Sequence, residues 1–341
     1  MKRHDPKAAT IGGRILVTGG AGYIGSHTAK ALARAGFAPI VLDNLSEGHS
    51  QAVQWGPLIV GDLGDTDLVR TILAEERIDA VIHFAANAYV GESMTEPARY
   101  FHNNVTHSLG LLNAMLEAGV QHLVFSSTCA TYGTPLCLPI DEDHPQAPIS
   151  PYGESKLFVE RVLRSYARAY DLRWVALRYF NAAGADPEGE IGEVHDPETH
   201  LIPLAIDAAV GRNSDLSIYG HDYETPDGTA IRDFIHVADL ASGHVQALKY
   251  LLAGGPSLAV NLGTGSGHSV DEVVTMIEAT SRLRVPVCYA ERRDGDPPAL
   301  VADSRRAQSM LGWRPRYPDL RTIVETAWQW HTKDERGIER R

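Results

Sequence analysis

Short apolar runs alternate with amphipathic stretches along the first half of the chain. The apolar runs predict strands at residues 14–18, 39–43, 58–62, 80–84, 122–127 and 174–178. The stretches between them predict helices at residues 23–35, 67–76 and 109–118. A strand that is apolar along its whole length is buried on both faces, as in a parallel sheet covered by helices. The pattern therefore predicts an α/β fold with a doubly wound parallel sheet of the Rossmann type.

The second half of the chain is less regular. Residues 186–200 are rich in Pro, Gly, Asp and Glu and predict a long loop; short strands and helices follow, ending in a helix at residues 320–330. We predict a nucleotide-binding Rossmann domain over residues 1–180, to which residues 233–262 return. A smaller α/β substrate-binding domain is predicted over residues 181–341, packed at the carboxyl ends of the strands.

The net charge and the lengths of the apolar runs argue against a nucleic-acid-binding protein and against a membrane protein. The 341 residues carry a formal net charge of -12 and no basic run, so we expect no binding to nucleic acid, although a local pocket can hold one or two phosphates. No apolar run approaches the roughly 18–20 residues that span a bilayer, so no membrane partner is expected. Residues 1–10 carry positive charge with no apolar region after them, which predicts a loose tail rather than a secretory signal.

The cysteines are typical of a reducing compartment. Cys129, Cys137 and Cys288 are odd in number and form no Cys-x-x-Cys pair, which argues against a disulfide framework and against a cysteine zinc site. We therefore predict a cytoplasmic protein in which these thiols act as small apolar fillers. We also predict no metal site.

A glycine-rich segment follows the first predicted strand and opens the first predicted helix. Gly19, Gly22 and Gly25 have the spacing G-x-x-G-x-x-G. Glycines let the turn tighten and let the backbone approach a pyrophosphate, and the helix N-terminus attracts the anion. Such a pattern alone is weak evidence, but here a strand precedes it and a helix follows it. The segment therefore predicts a dinucleotide site.

Two acidic residues end neighbouring predicted strands. Asp43 ends the second strand, where a carboxylate can accept hydrogen bonds from both hydroxyls of the adenosine ribose and repels a 2′-phosphate. This position favours NAD over NADP. Asp62 ends the third strand and is predicted to accept from the adenine amino group. For both residues the competing interpretation is a turn residue without a ligand.

A tyrosine and a lysine four residues apart form the candidate catalytic pair. Tyr152 and Lys156 would lie on one face of a helix. A phenol has a reference pKa of about 10, and lowering it to about 7 takes roughly 4 kcal/mol, which a nearby ammonium and an oxidised nicotinamide can supply. Thr128 lies at the hydroxyl-rich end of the fifth predicted strand and is predicted to hydrogen-bond the reacting hydroxyl of the substrate. These residues predict hydride chemistry at an alcohol.

Many further sequence motifs occur in the same order and spacing as in one protein family. The chain resembles the extended short-chain dehydrogenase/reductases, and within them the UDP-glucose 4-epimerases, from about residue 14 to residue 330. The motifs are Thr-Gly-Gly-Ala-Gly-Tyr-Ile-Gly-Ser-His at 18–27, Leu-Asp-Asn-Leu at 42–45, His-Phe-Ala-Ala at 83–86, Val-Gly-Glu-Ser at 90–93, Ser-Ser-Thr-Cys-Ala-Thr-Tyr-Gly at 126–133, Pro-Tyr-Gly-Glu-Ser-Lys at 151–156, Arg-Tyr-Phe-Asn at 178–181, Asp-Gly-Thr-Ala-Ile-Arg-Asp-Phe-Ile-His-Val at 227–237 and Arg-Arg-Asp-Gly-Asp at 292–296.

The resemblance implies roles for individual residues. Tyr152 would be the base, Lys156 would bind the nicotinamide ribose and acidify Tyr152, and Thr128 would assist. Contacts with NAD are implied for Gly19, Gly22, Tyr23, Ile24, Gly25, Asp43, Asn44, Asp62, Leu63, Phe84, Ala85, Ala86, Asn103, Tyr152, Lys156 and Tyr179. Contacts with the UDP-sugar are implied for Thr128, Asn181, His200, Leu201, Leu216, Tyr219, Arg232, Arg293, Asp296 and Leu300. Arginine also suits a diphosphate because its guanidinium fork matches phosphate oxygens.

The implied reaction is reversible 4-epimerisation of a UDP-sugar (UDP-glucose and UDP-galactose) by transient oxidation at carbon 4. Related dehydratases place carboxylates beside the position of Thr128, whereas Cys129, Ala130 and Thr131 follow it here, which favours epimerisation alone. The family also forms dimers through two helices of each subunit, here near residues 99–118 and 152–170, so a homodimer is implied.

Three positions depart from the family pattern. Ala88 replaces a lysine that touches the cofactor ribose in many relatives, His200 replaces an asparagine on the sugar side, and Leu300 replaces a tyrosine that limits the pocket in some. These changes leave open a UDP-xylose/UDP-arabinose 4-epimerase or an enzyme of dual specificity. A non-catalytic NAD-sensing protein is the alternative from another class, and the three catalytic candidates together disfavour it.

Overall fold

The computed structural model describes residues 12–293 and 296–333; the predicted tail at residues 1–10 lies outside them. The strands are β1 Arg14–Thr18, β2 Ala38–Asp43, β3 Leu58–Val60, β4 Ala80–His83, β5 His122–Thr128, β6 Arg173–Tyr179, β7 Asn181–Ala183, β8 Leu216–Tyr219, β9 Ile231–His236, β10 Leu258–Leu262, β11 Gly267–Ser269, β12 Val287–Ala290 and β13 Ala299–Leu300. The α-helices are α1 Tyr23–Arg34, α2 Thr66–Glu75, α3 Val90–Thr95, α4 Pro97–Tyr100, α5 His107–Ala118, α6 Pro151–Tyr170, α7 Leu201–Ala209, α8 Val237–Leu252, α9 Val270–Ser281, α10 Arg305–Leu311 and α11 Leu320–His331. A π-helical segment, Phe101–Thr106, joins α4 to α5.

The main sheet has seven parallel strands in the order β10-β6-β5-β4-β1-β2-β3. All six strands predicted from apolar runs lie in this sheet, so the predicted doubly wound parallel fold is confirmed. The strand order reverses between β1 and β4, and the loops after these two strands separate there. A crevice that binds ligands is expected at the carboxyl ends of the strands at this point.

Consecutive residues of each strand enter two different cores. In β1, Ile15 and Val17 pack with α1 and α8 on one face of the sheet. Leu16, between them, packs with α2, α5 and α6 on the other face. This two-sided burial is the physical reason that the strands are apolar at every position.

A second group of elements follows β6. β9 pairs with β7, β11 and β13, and β8 pairs with β12. Helices α7, α9 and α11 cover a separate apolar core against these strands. Residues 184–200 contain no helix or strand, as predicted for the loop at 186–200.

The chain returns to the main sheet before it ends. α8 packs against α1, and β10 pairs with β6 in parallel. We keep the domain division at residue 180, with residues 233–262 in the first domain, as a proposal. Across the described ranges, no helix combines the length and the apolar character that crossing a bilayer would require.

Candidate active site

The turn between β1 and α1 is closed by contacts that leave no room for side chains. Gly19 has a φ of +70°, and a Cβ there would lie 2.6 Å from the backbone nitrogen of Ala85. A Cβ on Gly25 would lie 2.2 Å from the carbonyl oxygen of Gly19. α1 begins at Tyr23, and no side chain caps its first backbone N–H groups. The turn therefore offers free N–H donors at a helix N-terminus, where an anion is favoured.

Asp43 connects this turn to the end of β2. Its carboxylate accepts hydrogen bonds from the backbone nitrogens of Ala21 at 3.0 Å and Leu45 at 2.8 Å. Burial raises the pKa of Asp43, and these two hydrogen bonds oppose the rise. A carboxylate has about four acceptor positions, so two remain for ribose hydroxyls.

Asp62 and Asn44 lie together next to Asp43. The Asn44 side-chain nitrogen donates to Asp62 at 2.7 Å, and the Gly64 backbone nitrogen donates to the same carboxylate at 2.7 Å. Although burial acts in the opposite direction, these hydrogen bonds hold the pKa of Asp62 below its usual range. Asn44 and Asp62 are thus exposed and adjacent, on the segments that follow β2 and β3, whereas Asp43 is buried.

The three catalytic candidates meet at the end of β5. Tyr152 and Lys156 lie in the first two turns of α6 and are buried, and Thr128 is the last residue of β5. The Thr128 hydroxyl lies close enough to the Tyr152 phenol to lower its pKa. The Lys156 ammonium donates to the carbonyl oxygen of Ser126 at 3.0 Å and lies 5.9 Å from the centre of the Tyr152 ring.

Burial acts on the two pKa values of the pair in opposite directions. It raises the pKa of Tyr152 well above its ordinary value, nearby Tyr179 adds to the rise, and the neighbouring Thr128 hydroxyl opposes it. Burial lowers the pKa of Lys156 to about 7. The phenol is therefore neutral at neutral pH in the protein alone. The phenolate expected from the sequence needs further positive charge in the pocket, because burial is the largest influence on the pKa of Tyr152 and raises it.

The remaining predicted cofactor residues lie on several elements of the main sheet and its helices. Tyr179, at the end of β6, hydrogen-bonds the Ser126 hydroxyl at 2.6 Å, and burial raises its pKa to about 12. Phe84 packs on His244 with ring centres 4.6 Å apart. Ile24 packs on the core beneath the sheet, Leu63 is buried, and Ala85 and Ala86 form the half-buried turn after β4.

The predicted Asn103 has a neighbour with a larger structural role. Asn104 is buried, and its side chain bonds the backbone nitrogen of Asn87 at 2.8 Å, the carbonyl of Asn87 at 3.0 Å and the Ser155 hydroxyl at 3.0 Å. Asn103 is half-buried and donates to Asn104 at 3.0 Å. Sequence reasoning missed Asn104 because the π-helical segment shifts the inward-facing position relative to a regular helix.

A buried ion pair under the catalytic residues was also missed. Glu160 lies one turn beyond Lys156 on the same face of α6, and both of its oxygens accept from Arg178, at 2.9 and 2.6 Å. The Ser127 hydroxyl donates to Glu160 at 2.6 Å, and Arg178 donates to the Tyr132 hydroxyl at 2.9 Å. The i, i+4, i+8 spacing of Tyr152, Lys156 and Glu160 was the available signal.

The predicted nucleotide residues gather around β9. Arg232 forms an ion pair with Asp296, and Leu300 pairs with Arg232 across β13 and β9. Arg293 stacks over the ring of Tyr219 at 4.0 Å. Leu216 is buried in β8, and Asn181 starts β7, which pairs with β9. Asp294 and Gly295, within the arginine motif, lie outside the described residues.

Two of the departures from the family pattern have clear surroundings. Leu300 packs against a small apolar core that contains Phe180 and Cys129. Cys129 is the residue that directly follows Thr128 in the sequence. His200, just before α7 and Leu201, turns its imidazole to Glu193 and Glu198, with Nδ1 to oxygen distances of 2.9 and 3.0 Å. His200 therefore has carboxylate neighbours that its position in the sequence did not predict.

Comparison with known proteins agrees with this geometry. A UDP-glucose 4-epimerase from Rhizobium meliloti (strain 1021) is 54% identical over 323 residues, which cover 95% of this chain and 98% of that protein. The crystal structure of UDP-glucose 4-epimerase from Brucella ovis in complex with NAD is 54% identical, with a TM-score of 0.91 and coverage of 94% of this chain and 98% of that one. A UDP-glucose-4-epimerase structure from Stenotrophomonas maltophila, with bound NAD and formylated UDP-arabinopyranose, is 40% identical, with a TM-score of 0.90 and coverage of 94% and 98%. The model of the NAD dependent epimerase/dehydratase family matches residues 15–263, and the chain belongs to this family.

Proposed function

We propose that this chain catalyses reversible 4-epimerisation of a UDP-sugar, with UDP-glucose and UDP-galactose as its substrates. The observation that carries the proposal is the buried group of Thr128, Tyr152 and Lys156 where the end of β5 meets the first two turns of α6. Cys129, Ala130 and Thr131 follow Thr128, so no carboxylate stands there to eliminate water from the sugar. Relatives at 45–54% identity carry the name UDP-glucose 4-epimerase, which supports the same reaction.

The residues of the crevice fit NAD. The close contacts at Gly19 and Gly25 create a side-chain-free turn at the N-terminus of α1, which suits a pyrophosphate. Asp43 keeps acceptor positions for a ribose and would repel a 2′-phosphate. When bound, NAD would accept hydride from carbon 4 of the sugar and later give it back to that carbon, so the overall reaction is redox-neutral.

The protein side of the mechanism is proton transfer and positioning. Thr128 holds the 4-hydroxyl of the sugar by a hydrogen bond, and Tyr152 takes its proton as carbon 4 is oxidised. Lys156, held by the Ser126 carbonyl, stabilises the phenolate and binds the nicotinamide ribose. The keto sugar then presents its other face, and Tyr152 returns the proton to the 4-oxygen.

Binding through UDP lets the sugar turn while the substrate stays in the site. We assign the diphosphate to Arg232 and Arg293, because paired guanidinium groups match its oxygens. Arg232 is oriented by its ion pair with Asp296, and Arg293 by its stacking on Tyr219. These contacts lie far along the substrate from carbon 4 and leave the ring free to rotate.

The test is conversion of UDP-galactose to UDP-glucose without added NAD. We expect turnover by the wild type and a loss of at least about 10²–10⁴-fold in kcat for Tyr152→Phe, with unchanged Tm and NAD content. Tyr170→Phe is the matched control, because Tyr170 is 54% exposed on the same helix. Near-normal turnover by Tyr152→Phe would refute the assignment, and loss of water or carbon dioxide from the sugar would refute plain epimerisation.

A UDP-pentose is the second candidate substrate. The apolar side chain of Leu300, on β13, packs beside Cys129, which follows Thr128. This side of the proposed sugar pocket therefore receives an apolar side chain from β13. Parallel assays with UDP-xylose, UDP-arabinose and N-acetylated UDP-sugars measure the preference. Failure with every UDP-sugar would favour the NAD-sensing alternative.

We also propose that the protein is a homodimer located in the cytoplasm. Phe101 and Phe158 are 41% and 47% exposed on the π-helical segment and on α6, which pack against each other. Together they form an apolar surface suited to a second copy of the chain. The cytoplasmic location is supported by three free thiols, Cys129, Cys137 and Cys288.

A further inference from the structure

Two histidines and two glutamates converge in the loop between β7 and α7. Their ligand atoms, one from each of Glu193, His195, Glu198 and His200, all lie within 4.8 Å of one another. The side chain of Glu193 is 4% exposed and that of Glu198 is 11% exposed. Only His200 has been linked to the substrate above, through the family resemblance, and none of the four takes part in the proton transfer. The sequence predicted no metal site because the cysteines are unpaired, but imidazole and carboxylate are equally suitable ligands.

The distances between these atoms match the edges of a coordination sphere. His195 Nδ1 lies 3.3 Å from Glu193 and 3.7 Å from Glu198, and His200 Nδ1 lies 2.9 and 3.0 Å from the same two carboxylates. A tetrahedral Zn²⁺ with bonds of about 2.0–2.2 Å has ligand-to-ligand edges of about 3.3–3.6 Å. The observed distances bracket this range.

Two buried atoms of the cluster have no hydrogen-bond partner. Glu193 Oε1 and His195 Nδ1 lie 3.3 Å apart, yet neither makes a hydrogen bond with acceptable geometry within the described part of the chain. A buried polar atom without a partner is costly. The same Glu193 oxygen lies 2.9 Å from His200 Nδ1, so one carboxylate oxygen and two imidazole nitrogens converge, as ligands of a common ion would.

The two carboxylates of the cluster have only the imidazoles of His195 and His200 as ion-pair partners among the described residues. Nearby, Asp186, Glu188 and Glu190 form an acidic group that Lys30 and Arg34 neutralise through ion pairs. Among residues 12–293 and 296–333, no lysine or arginine pairs with Glu193 or Glu198. One divalent cation with two neutral imidazoles would balance the two carboxylates.

We propose that Glu193, His195, Glu198 and His200 bind a divalent transition-metal ion, Zn²⁺ in the first instance. Mixed imidazole and carboxylate ligands favour zinc over Mg²⁺ or Ca²⁺, which take oxygen ligands. Four protein ligands close the coordination sphere, so the ion is structural. Glu198 is oriented by the backbone nitrogens of Thr199 and His200, at 2.8 and 2.9 Å, as supporting hydrogen bonds orient metal ligands elsewhere.

The ion would fix the loop beside the cofactor turn. The His195 ring packs edge-on against Tyr23 and Tyr89, with ring centres 6.3 Å away in each case. Trp330 of α11 donates to the carbonyl of Glu193 at 3.0 Å. A metal at the cluster thus connects the start of α1, the segment before α3 and the C-terminal helix through one loop.

The experiment measures zinc directly on untagged, full-length protein. Wild-type protein from zinc-supplemented culture is desalted without chelator, and its zinc is measured by mass spectrometry, with about one ion expected per chain. Glu193→Gln and His195→Asn are expected to retain at least about tenfold less zinc, because loss of even an outer-shell partner weakens binding by about 10–100-fold. His268→Ala is the control, since His268 also lies near a glutamate, 3.5 Å from Glu272, but outside the cluster; it is expected to retain zinc.

A titration keeps the proposal testable if the variants fold poorly. Chelator-stripped wild type is titrated with Zn²⁺ by calorimetry, and binding with a stoichiometry near one together with a higher Tm supports the site. Stripped wild type that binds no zinc overturns the proposal. Equal zinc in His195→Asn and wild type, as expected for zinc on the exposed thiols of Cys137 and Cys288, also overturns it. None of these readouts depends on epimerase activity.

Discussion

At the scale of single residues, Lys156 is a cation held where water is excluded. Its side chain is buried, and its pKa falls to about 7, whereas the same group titrates near 10.4 in an unfolded chain. The unfolded chain therefore binds the proton more tightly between these two pH values. Folding stability is lost as the pH falls from about 10 to about 7, and the loss is complete below that.

We therefore expect Lys156→Met to raise stability while it abolishes turnover. At pH 7 the gain is about 2 kcal/mol, after allowing for the lost hydrogen bond to the Ser126 carbonyl. The gain shrinks as the pH rises toward 10. Urea unfolding of protein freed of NAD measures it, because lost nucleotide binding would itself lower stability. Lys249→Met, at an exposed position, is the control. A Lys156→Met protein less stable than wild type at pH 7 would contradict this account.

Residue identity predicted the reacting groups better than their surroundings. Thr128, Tyr152 and Lys156 are brought together as predicted from their spacing and strand position. The carboxylate neighbours of His200 and the buried role of Asn104 were not predicted. Both depend on backbone geometry, in an irregular loop and in a π-helical segment, that apolar periodicity does not record.

At the scale of elements, one face of α6 holds both the catalytic candidates and a buried glutamate, Glu160, that stabilises the fold. Glu160 has no exposed surface, and Arg178, which it binds through both oxygens, is 2% exposed. Removing one partner of such a pair leaves the other charge buried and unpaired, which costs about 3–5 kcal/mol. We expect Glu160→Gln to lose that much in urea unfolding.

The control for this prediction lies on the same helix. Glu154 is exposed in the first turn of α6, and Glu154→Gln is expected to cost less than about 1 kcal/mol. If the two substitutions had equal effects, the Glu160–Arg178 pair would not hold α6 against the end of β6.

Two glycines of the turn after β1 are expected to be needed for different reasons: Gly25 for packing and Gly22 for binding of NAD. A Cβ at Gly25 would lie 2.2 Å from a backbone oxygen, whereas the nearest atom to a Cβ at Gly22 is 3.4 Å away. We expect Gly25→Ala to lower Tm strongly and to abolish NAD retention. Gly22→Ala is expected to keep a near-wild-type Tm while retaining less NAD. Thermal unfolding and nucleotide content of both variants test this, and an equal loss of Tm would contradict it.

Strands were predicted more completely than the polar contacts beneath them. β1, β2, β4, β5 and β6 match their apolar runs to within one or two residues, because burial on both faces demands apolar side chains. β3 ends at Val60, two residues earlier than predicted. Glu160 could not be predicted as buried, because an isolated glutamate is normally exposed and its partner Arg178 lies on another element.

At the scale of the whole molecule, the outer surface of α6 is the surface through which we expect two copies of the chain to form a dimer. The inward face carries the catalytic residues and Glu160, while Phe158 on α6 and Phe101 on the π-helical segment that packs against it are 47% and 41% exposed. A charge placed in the centre of an apolar interface is buried without a partner, which strongly opposes association. We expect wild-type protein to sediment as a dimer and Phe158→Glu to sediment as a monomer. Leu283→Glu is the control, since Leu283 is 44% exposed beyond α9, and it is expected to remain a dimer. A dimer that survives Phe158→Glu with an unchanged dissociation constant would place the interface on another surface.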